Sequence, residues 1–353
     1  MHANDDILNL LREKGAQVAR EAQRAVILQP GAIGDCILTL PLAEFLKESL
    51  ELGGVDIIGH TEYTGILPGR TCIDSIRCID SANLYRLFVE SDAFDLADRD
   101  PLINIFADYA WIVTFLGEPN GSFEQNLIFT ANCSHSAEVI TLSMKPPEDF
   151  ARHVTDFYTQ EFIDQSGLSL PPRQVEPDKR LIEVTKADRD GGKELLAETD
   201  LDPSKKLVVI QPGSGGLNKS WHLDNFLAVA KAVRSKGMEA VFLLGPAEVE
   251  RFSKSRIKRI DSVAGCLTDL SLTQAVGLLS CADGFVGNDS GITHLAAGLG
   301  VKTLAVFGPT NPVVYGPIGP AVTVISDTSA RFAKKPSARS QKELLSVLLA
   351  DSN

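Results

Sequence analysis

A chain of 353 residues is too long for one ordinary core and points to two domains. With 44% hydrophobic, 7% aromatic and 23% charged residues, the composition excludes a disordered or fibrous protein. A formal net charge of −12 excludes a general nucleic-acid binder, which needs clustered Lys and Arg. The charge is uneven, with 26 acidic against 12 basic residues in 1–175 and 20 against 22 in 176–353. A phosphorylated ligand is therefore expected on the second half.

The first residues, MHANDDILNLLREKGAQVAREAQR, lack both a basic region leading an apolar core and a small-residue cleavage site, so no signal peptide is expected. Residues 5–20 read as an amphipathic helix through Ile7, Leu8, Leu11 and Val18 that packs on the protein. No run approaches the length of a membrane span. From Ala25 onward short apolar runs alternate with amphipathic segments, the pattern of βαβ units and a parallel sheet.

In the first half strands are expected at 25–29, 55–58, 111–115 and 138–142, with a helix at 36–50. The proline-bearing stretch GLSLPPRQVEPD (167–178) is the expected linker. Strands are then expected at 207–211, 240–244, 262–264, 284–286 and 303–307, separated by helices near 223–236, 247–257, 272–281 and 291–299. A closing helix at 341–349 would be capped by Ser340. The domains are thus 1–172, 173–335 and a C-terminal helix in 336–353 that could pack back on the first domain. The six cysteines are scattered without C-x-x-C or zinc-ligand spacing and read as reduced, mostly buried thiols of a cytoplasmic protein.

Three loops carry candidate chemistry. Gly31 and Gly34 in QPGAIGD (29–35) let a substrate approach the backbone where a first parallel strand ends, and Asp35 reads either as a first-turn helix carboxylate or as a catalytic base. QPGSGGLNKSW (211–221) exposes small residues after a strand; Ser214 and Gly215 could cradle an anion while Lys219 neutralises it, or the stretch is a plain turn with a solvated lysine. In GNDSGITH (287–294), Asp289, Ser290 and Gly291 meet a helix N-terminus suited to a pyrophosphate, with His294 one turn beyond. Further turns at 245–248 and 308–312 follow strands at the same expected sheet edge. The D-x-D triplets at 98–100 and 188–190 do not follow apolar strands, so no metal motif is assigned to them.

Taken together, PGAIGDCILTLP (30–41), VVIQPGSGGLNKSWHLDNF (208–226), LLGPAE (243–248) and GNDSGITHLAAGLGVKTLAVFGPTNP (287–312) resemble glycosyltransferase family 9, the ADP-heptose:lipopolysaccharide heptosyltransferases. The resemblance implies a GT-B architecture: two Rossmann-like, doubly wound α/β domains with an interdomain cleft, acceptor on the first and donor on the second. It implies an inverting, metal-independent glycosyltransferase with no cofactor, moving heptose from ADP-heptose to a glycan or glycolipid acceptor in lipopolysaccharide-type synthesis. Asp35 stands at the family's general base and Lys219 at its phosphate-holding lysine, with Ser214 and Gly215 beside it. Glu248 matches a ribose-contacting acid, Asp289, Ser290 and Gly291 the diphosphate- and sugar-facing turn, and His294 the histidine after it. Gly31 and Gly34 fall on the acceptor side.

The first half departs from the family pattern in its shortage of basic residues, and residues 60–135 match no family segment. Two alternatives stay open: a sugar-nucleotide epimerase or hydrolase on the same scaffold, and a catalytically inactive nucleotide-sugar binder. Peripheral contact with the inner membrane is a further expectation, from the basic cluster Lys254, Arg256, Lys258 and Arg259; a solvated helix face is its other reading.

Overall fold

The computed structural model describes residues 23–329 and 331–350. The helix expected at 5–20 lies outside them. The described residues fall into two compact units: one runs up to Phe150 and adds Val154–Val175, the other joins Ala151–His153 to everything described from Glu176 on.

The first unit holds a five-stranded parallel sheet of β1 (Arg24–Gln29), β2 (Gly54–Gly59), β3 (Ser75–Cys78), β4 (Trp111–Thr114) and β5 (Glu138–Thr141) in the order β3-β2-β1-β4-β5. β1 and β2 are buried nearly throughout, as strands covered on both faces must be. Helices α1 (Ile33–Ser49), α2 (Ser122–Asn132) and α3 (Val154–Ser166) connect or flank the strands. Phe162 of α3 packs edge-on against Phe45 of α1 and at a tilt against Trp111, while Phe123 and Leu127 of α2 join Val26, Leu28 and Ile112 in a core cluster.

The second unit holds β6 (Leu207–Gln211), β7 (Glu239–Leu244), β8 (Gly265–Thr268), β9 (Gly284–Asn288), β10 (Thr303–Phe307) and β11 (Val322–Ser326), all parallel, in the order β11-β10-β9-β6-β7-β8. Its main helices are α4 (Lys186–Ala197), α5 (Leu223–Ser235), α6 (Pro246–Arg251), α7 (Lys254–Asp261), α8 (Leu272–Ser280), α9 (Gly291–Gly298) and α10 (Ala338–Leu348). Each sheet reverses its strand order once, between β1 and β4 and between β6 and β9. Ligands of doubly wound sheets bind outside the carboxyl ends of the strands at such a switch point.

Three expectations are corrected. The strand placed at 262–264 starts only at Gly265, because Ser262 caps α7 and the chain turns through Val263 and Ala264. β3 and β11 were not anticipated, and β3 pairs as an edge with a half-exposed pattern that leaves no apolar run. The closing helix α10 starts earlier than expected, capped by Ser337 and not by Ser340, and its Leu344 and Leu348 enter the core of the second unit with Phe226 and Val233. Asn225 of α5 fixes that docking by accepting from Ser337 N at 2.8 Å and Gln341 Nε2 at 2.7 Å.

Helices α4 and α8 meet backbone to backbone. A Cβ on Gly192 would lie 2.1 Å from the carbonyl oxygen of Gly277, so no side chain fits without separating the helices. Gly192→Ala is expected to destabilise the second unit by about 1–3 kcal/mol through overpacking, read as a lowered midpoint in urea unfolding.

Candidate functional site

The site in the second unit begins where β6 and β9 end side by side, with Gln211 registered on Gly287. Asn288, the last residue of β9, is fully buried. Its side-chain amide donates to the carbonyls of Pro212 at 2.9 Å and Gly213 at 3.0 Å, and its Oδ1 accepts from Trp221 N at 2.8 Å. One side chain thus closes the loop of residues 212–221 onto the neighbouring strand. Within that loop the buried Ser214 donates from Oγ to the carbonyl of Asp289 at 2.7 Å. Lys219 Nζ reaches Asp289 Oδ2 at 2.8 Å, its side chain 40% exposed and that of Asp289 10%. The exposed Gly215 has nothing near its Cβ direction, so its backbone is open to a ligand. Arg251, from α6, donates to the carbonyls of Ser214 and Gly215 at 3.2 Å each and braces the loop from outside.

Ser290 is the N-cap of α9 and Gly291 its first residue. Ser290 Oγ donates to Gln211 Oε1 at 2.8 Å and lies 3.0 Å from Thr293 Oγ1, which donates to the carbonyl of Asn288. The first-turn amides of α9 therefore stand at the switch point beside Lys219, and amides with a lysine form an anion-binding arrangement.

His294, one turn into α9, is 5% exposed, and its Nδ1 has no hydrogen-bond partner among the described residues. Burial pulls its pKa down to about 4, against the opposing pull of Asp289; His153 and Lys219 push in the same direction as burial. The ring is neutral at neutral pH.

Glu248 is 5% exposed at the start of α6, where Oε2 accepts from Gly245 N at 2.8 Å. Burial raises its pKa, partly countered by that amide. A Cβ on Gly213 would lie 1.6 Å from Glu248 Oε1, so the loop glycine and the acid touch.

In the first unit the loop of residues 30–32 leads into α1. Asp35 sits in the first turn, its Oδ2 accepting from Ala32 N at 3.0 Å. A Cβ on Gly31 would lie 2.7 Å from that same oxygen, so glycine there lets the carboxylate fold against the loop. Gln29 steadies the turn, accepting from Gly31 N at 2.8 Å and donating to Thr39 Oγ1 at 2.7 Å. Gly34 is the second residue of α1. Cys36, next to Asp35, is fully buried, and its thiol is pushed up to about 12 by burial and by Asp35, which keeps it protonated.

The structure therefore gathers Ser214, Lys219, Asp289, Ser290, Gly291, Glu248 and Gly213 at one edge of the second sheet, with His294 beneath, and places Asp35 and Gly31 at the carboxyl edge of the first. Asn288 and Arg251 were not singled out beforehand. Asn288 ends an apolar strand, where a polar residue is itself a signal, and Arg251 lies one helical turn after Glu248. The D-x-D triplets have structural work: Asp100 caps the helix Pro101–Phe106 and is bridged by Arg86 at 2.7 and 2.8 Å, and Asp188 closes the capping box of α4 with Thr185. In the basic cluster Arg259 pairs with Asp224 and Arg256 lies over the Phe252 ring at 5.5 Å. Only Cys36 among the six cysteines is buried. A cavity of about 500 Å³ lined by Arg189, Lys193, Leu201, Leu207 and Cys281 opens at the amino end of β6, the edge opposite the site. No helix among the described residues is long and apolar enough to cross a membrane.

Two parallel α/β sheets, each with one switch point, define the class, a protein of two doubly wound α/β units. Residues 132–345 match the family described as Glycosyltransferase family 9 (heptosyltransferase), and the chain belongs to that family. It is a glycosyltransferase. Lipopolysaccharide heptosyltransferase 3 of Escherichia coli strain K12 is 27% identical over 346 residues, spanning 90% of this chain and 92% of that protein. A shorter stretch of 120 residues is 33% identical to lipopolysaccharide heptosyltransferase 1 of Pseudomonas aeruginosa and spans 34% of each chain. The solved structure of the E. coli ADP-heptose lps heptosyltransferase II shares the fold with a TM-score of 0.67 at 15% identity, covering 94% of this chain and 100% of that one.

Two outcomes are expected. Asn288→Ala leaves Trp221 N and two loop carbonyls without their partner and should cost about 2–3 kcal/mol, seen in thermal unfolding of the second unit. For His294, the depressed pKa means that the unfolded chain binds the proton first. Its contribution to stability is present above pH 6.5 and lost as pH falls toward 4, and an NMR titration of the ring should place its midpoint near pH 4.

Proposed function

We propose that this chain is an inverting, metal-independent heptosyltransferase that moves heptose from ADP-heptose to a hydroxyl of a glycan or glycolipid acceptor, in the cytoplasm, during lipopolysaccharide-type envelope synthesis. The observation that carries the reading is the Lys219–Asp289 pair at 2.8 Å beside the α9 N-terminus, at the switch point of the second sheet. The names of the relatives support the sugar, and that of the E. coli enzyme supports the donor.

In this reading Asp35 takes the proton of the acceptor hydroxyl as its oxygen bonds to the anomeric carbon. The bond from that carbon to the diphosphate oxygen breaks, and its electron pair leaves with ADP. Inversion follows from a single displacement. The sugar passes through an oxocarbenium-like state while charge grows on the departing diphosphate. Lys219 and the amides of Ser290 and Gly291 meet that charge, and a preformed site does so without reorganising. Ser214 holds the loop carrying Lys219. Asp289 orients the lysine and faces the sugar, Glu248 receives the ribose, and the neutral His294 supports the turn from below. Gly31 and Gly34 keep the acceptor loop low enough for a hydroxyl to approach Asp35.

The test is release of nucleoside diphosphate from a panel of ADP- and UDP-sugars, with and without envelope glycan, before and after EDTA. Acceptor-dependent ADP release is expected, unchanged by EDTA. Asp35→Asn should lower kcat by about 100- to 10,000-fold, as removal of a general base does. Lys219→Ala should lower kcat/KM by about 100-fold or more through the lost charge contact. Release without acceptor would replace this reading with an epimerase or hydrolase, and no release from any donor would leave a binding protein.

A further inference from the structure

The first strand of each sheet ends in Gln-Pro-Gly, at 29–31 and at 211–213. A glutamine closing an otherwise apolar strand is costly to bury unless its amide is bonded. Gln211 meets the Ser290 hydroxyl, on the turn after the neighbouring strand. Gln29 turns instead to its own loop and helix.

Gln29 and Thr39 are both wholly buried. Gln29 Oε1 accepts from Gly31 N at 2.8 Å, and its Nε2 donates to Thr39 Oγ1 at 2.7 Å. Thr39 Oγ1 donates in turn to the carbonyl of Asp35 at 2.8 Å, one helical turn earlier. Asp35 Oδ2 accepts from the amide of Ala32, the residue after Gly31, at 3.0 Å. These four bonds close a ring that runs from the strand end through the loop, the carboxylate and the first turn of α1. Gln29 and Thr39 form its floor in the core, where an unmade bond costs most, while Asp35 stands half-buried above them.

The loop has no slack against the carboxylate. A Cβ on Gly31 would lie 2.6 Å from Asp35 Cβ and 2.7 Å from Oδ2, so the backbone of Gly31 is a wall beside that group. Both ends of this residue are held: its N–H by Gln29 at 2.8 Å, and its carbonyl by the Cys36 thiol, which donates at 3.7 Å. An aspartate has two side-chain torsions, and a base that wanders between rotamers leaves the line of the hydroxyl it must deprotonate.

We propose that Gln29 and Thr39 are positioning residues of the glycosyl-transfer site: buried beneath the turn, they hold the Asp35 carboxylate at the angle from which it takes the acceptor proton. This rests on the reading of Asp35 as the general base. The proton passes to Asp35 alone; Gln29 and Thr39 exchange none.

The test measures steady-state ADP release from ADP-heptose with envelope glycan, on the full chain, for Gln29→Met, Thr39→Val and Thr39→Ser, and for the first two combined with Asp35→Asn. Gln29→Met and Thr39→Val nearly keep volume and remove the bonds. Each should lower kcat by about 10- to 100-fold, the scale of a misaligned group, with KM for ADP-heptose unchanged. Thr39→Ser keeps the hydroxyl and should keep the rate. In the Asp35→Asn background neither should cost anything further, because a residue that acts through the carboxylate has nothing left to position. Loss by the same factor in both backgrounds would mark a general loss of structure and overturn the proposal. Where Gln29→Met fails to fold, the Thr39 pair decides alone. Hydrogen exchange of the Ala32 amide, followed by NMR, reads the carboxylate without turnover: Gln29→Met and Thr39→Val should speed it about tenfold, and unchanged protection overturns the proposal. If no donor is turned over, or Asp35→Asn alone leaves kcat intact, the base assignment falls and this inference with it. If Asp35→Asn lowers kcat while Gln29→Met and Thr39→Val do not, the transferase reading stands and this inference alone falls.

Discussion

Asn288 fastens one edge of the second sheet, and the arrangement of the site there depends on it. Its amide saturates three backbone groups of the 212–221 loop that would otherwise be buried without partners, at positions fixed by the registry of β6 on β9. Because the amide is wholly buried, those bonds form in a low-dielectric setting where leaving any of them unmade is costly. The loop is thereby held where Ser214 and Lys219 both reach Asp289, and that residue leads directly into the capped start of α9. Charge, donors and helix dipole converge because one side chain closes the strand ends together.

The two units share one strand order across five strands but orient their strand-end glutamines differently. Gln29 turns inward to its own loop and helix, shaping the turn that carries Asp35. Gln211 reaches across to the Ser290 hydroxyl on the neighbouring strand's turn. The first sheet thus presents one carboxylate on a short turn, and the second an anion-binding cradle assembled from two loops.

Buried charge inside the first unit serves structure. Asp56, within β2 and 5% exposed, accepts from Arg24 at 2.6 Å, from the Tyr109 hydroxyl at 2.9 Å and from Ser75 N at 3.0 Å, so one carboxylate joins three strands and the segment before β4. Arg86 holds Asp100 in a two-bond contact that lowers the acid's pKa to about 2. Such pairs are retained when every lone pair finds a donor, because removing one partner would strand a buried charge.

The apolar runs at β1, β2, β6, β7, β9 and β10 were legible along the chain because strands covered on both faces must be apolar at nearly every position. β3 and β8 were not, since edge strands alternate exposure and carry polar residues, and the true start of β8 depended on where α7 ended. The loops after β1, β6 and β9 announced themselves by glycines, a carboxylate and a lysine close in sequence. What the chain could not announce was partnership across long separations: Lys219 with Asp289, Ser214 with the Asp289 carbonyl, Arg251 with the loop carbonyls, and α10 with Asn225. Local composition determines which segments can be buried strands and which turns can meet an anion. Which of those turns face each other is decided by the order of strands in the sheet, because hydrogen-bonded register brings residues 70 positions apart to within 3 Å.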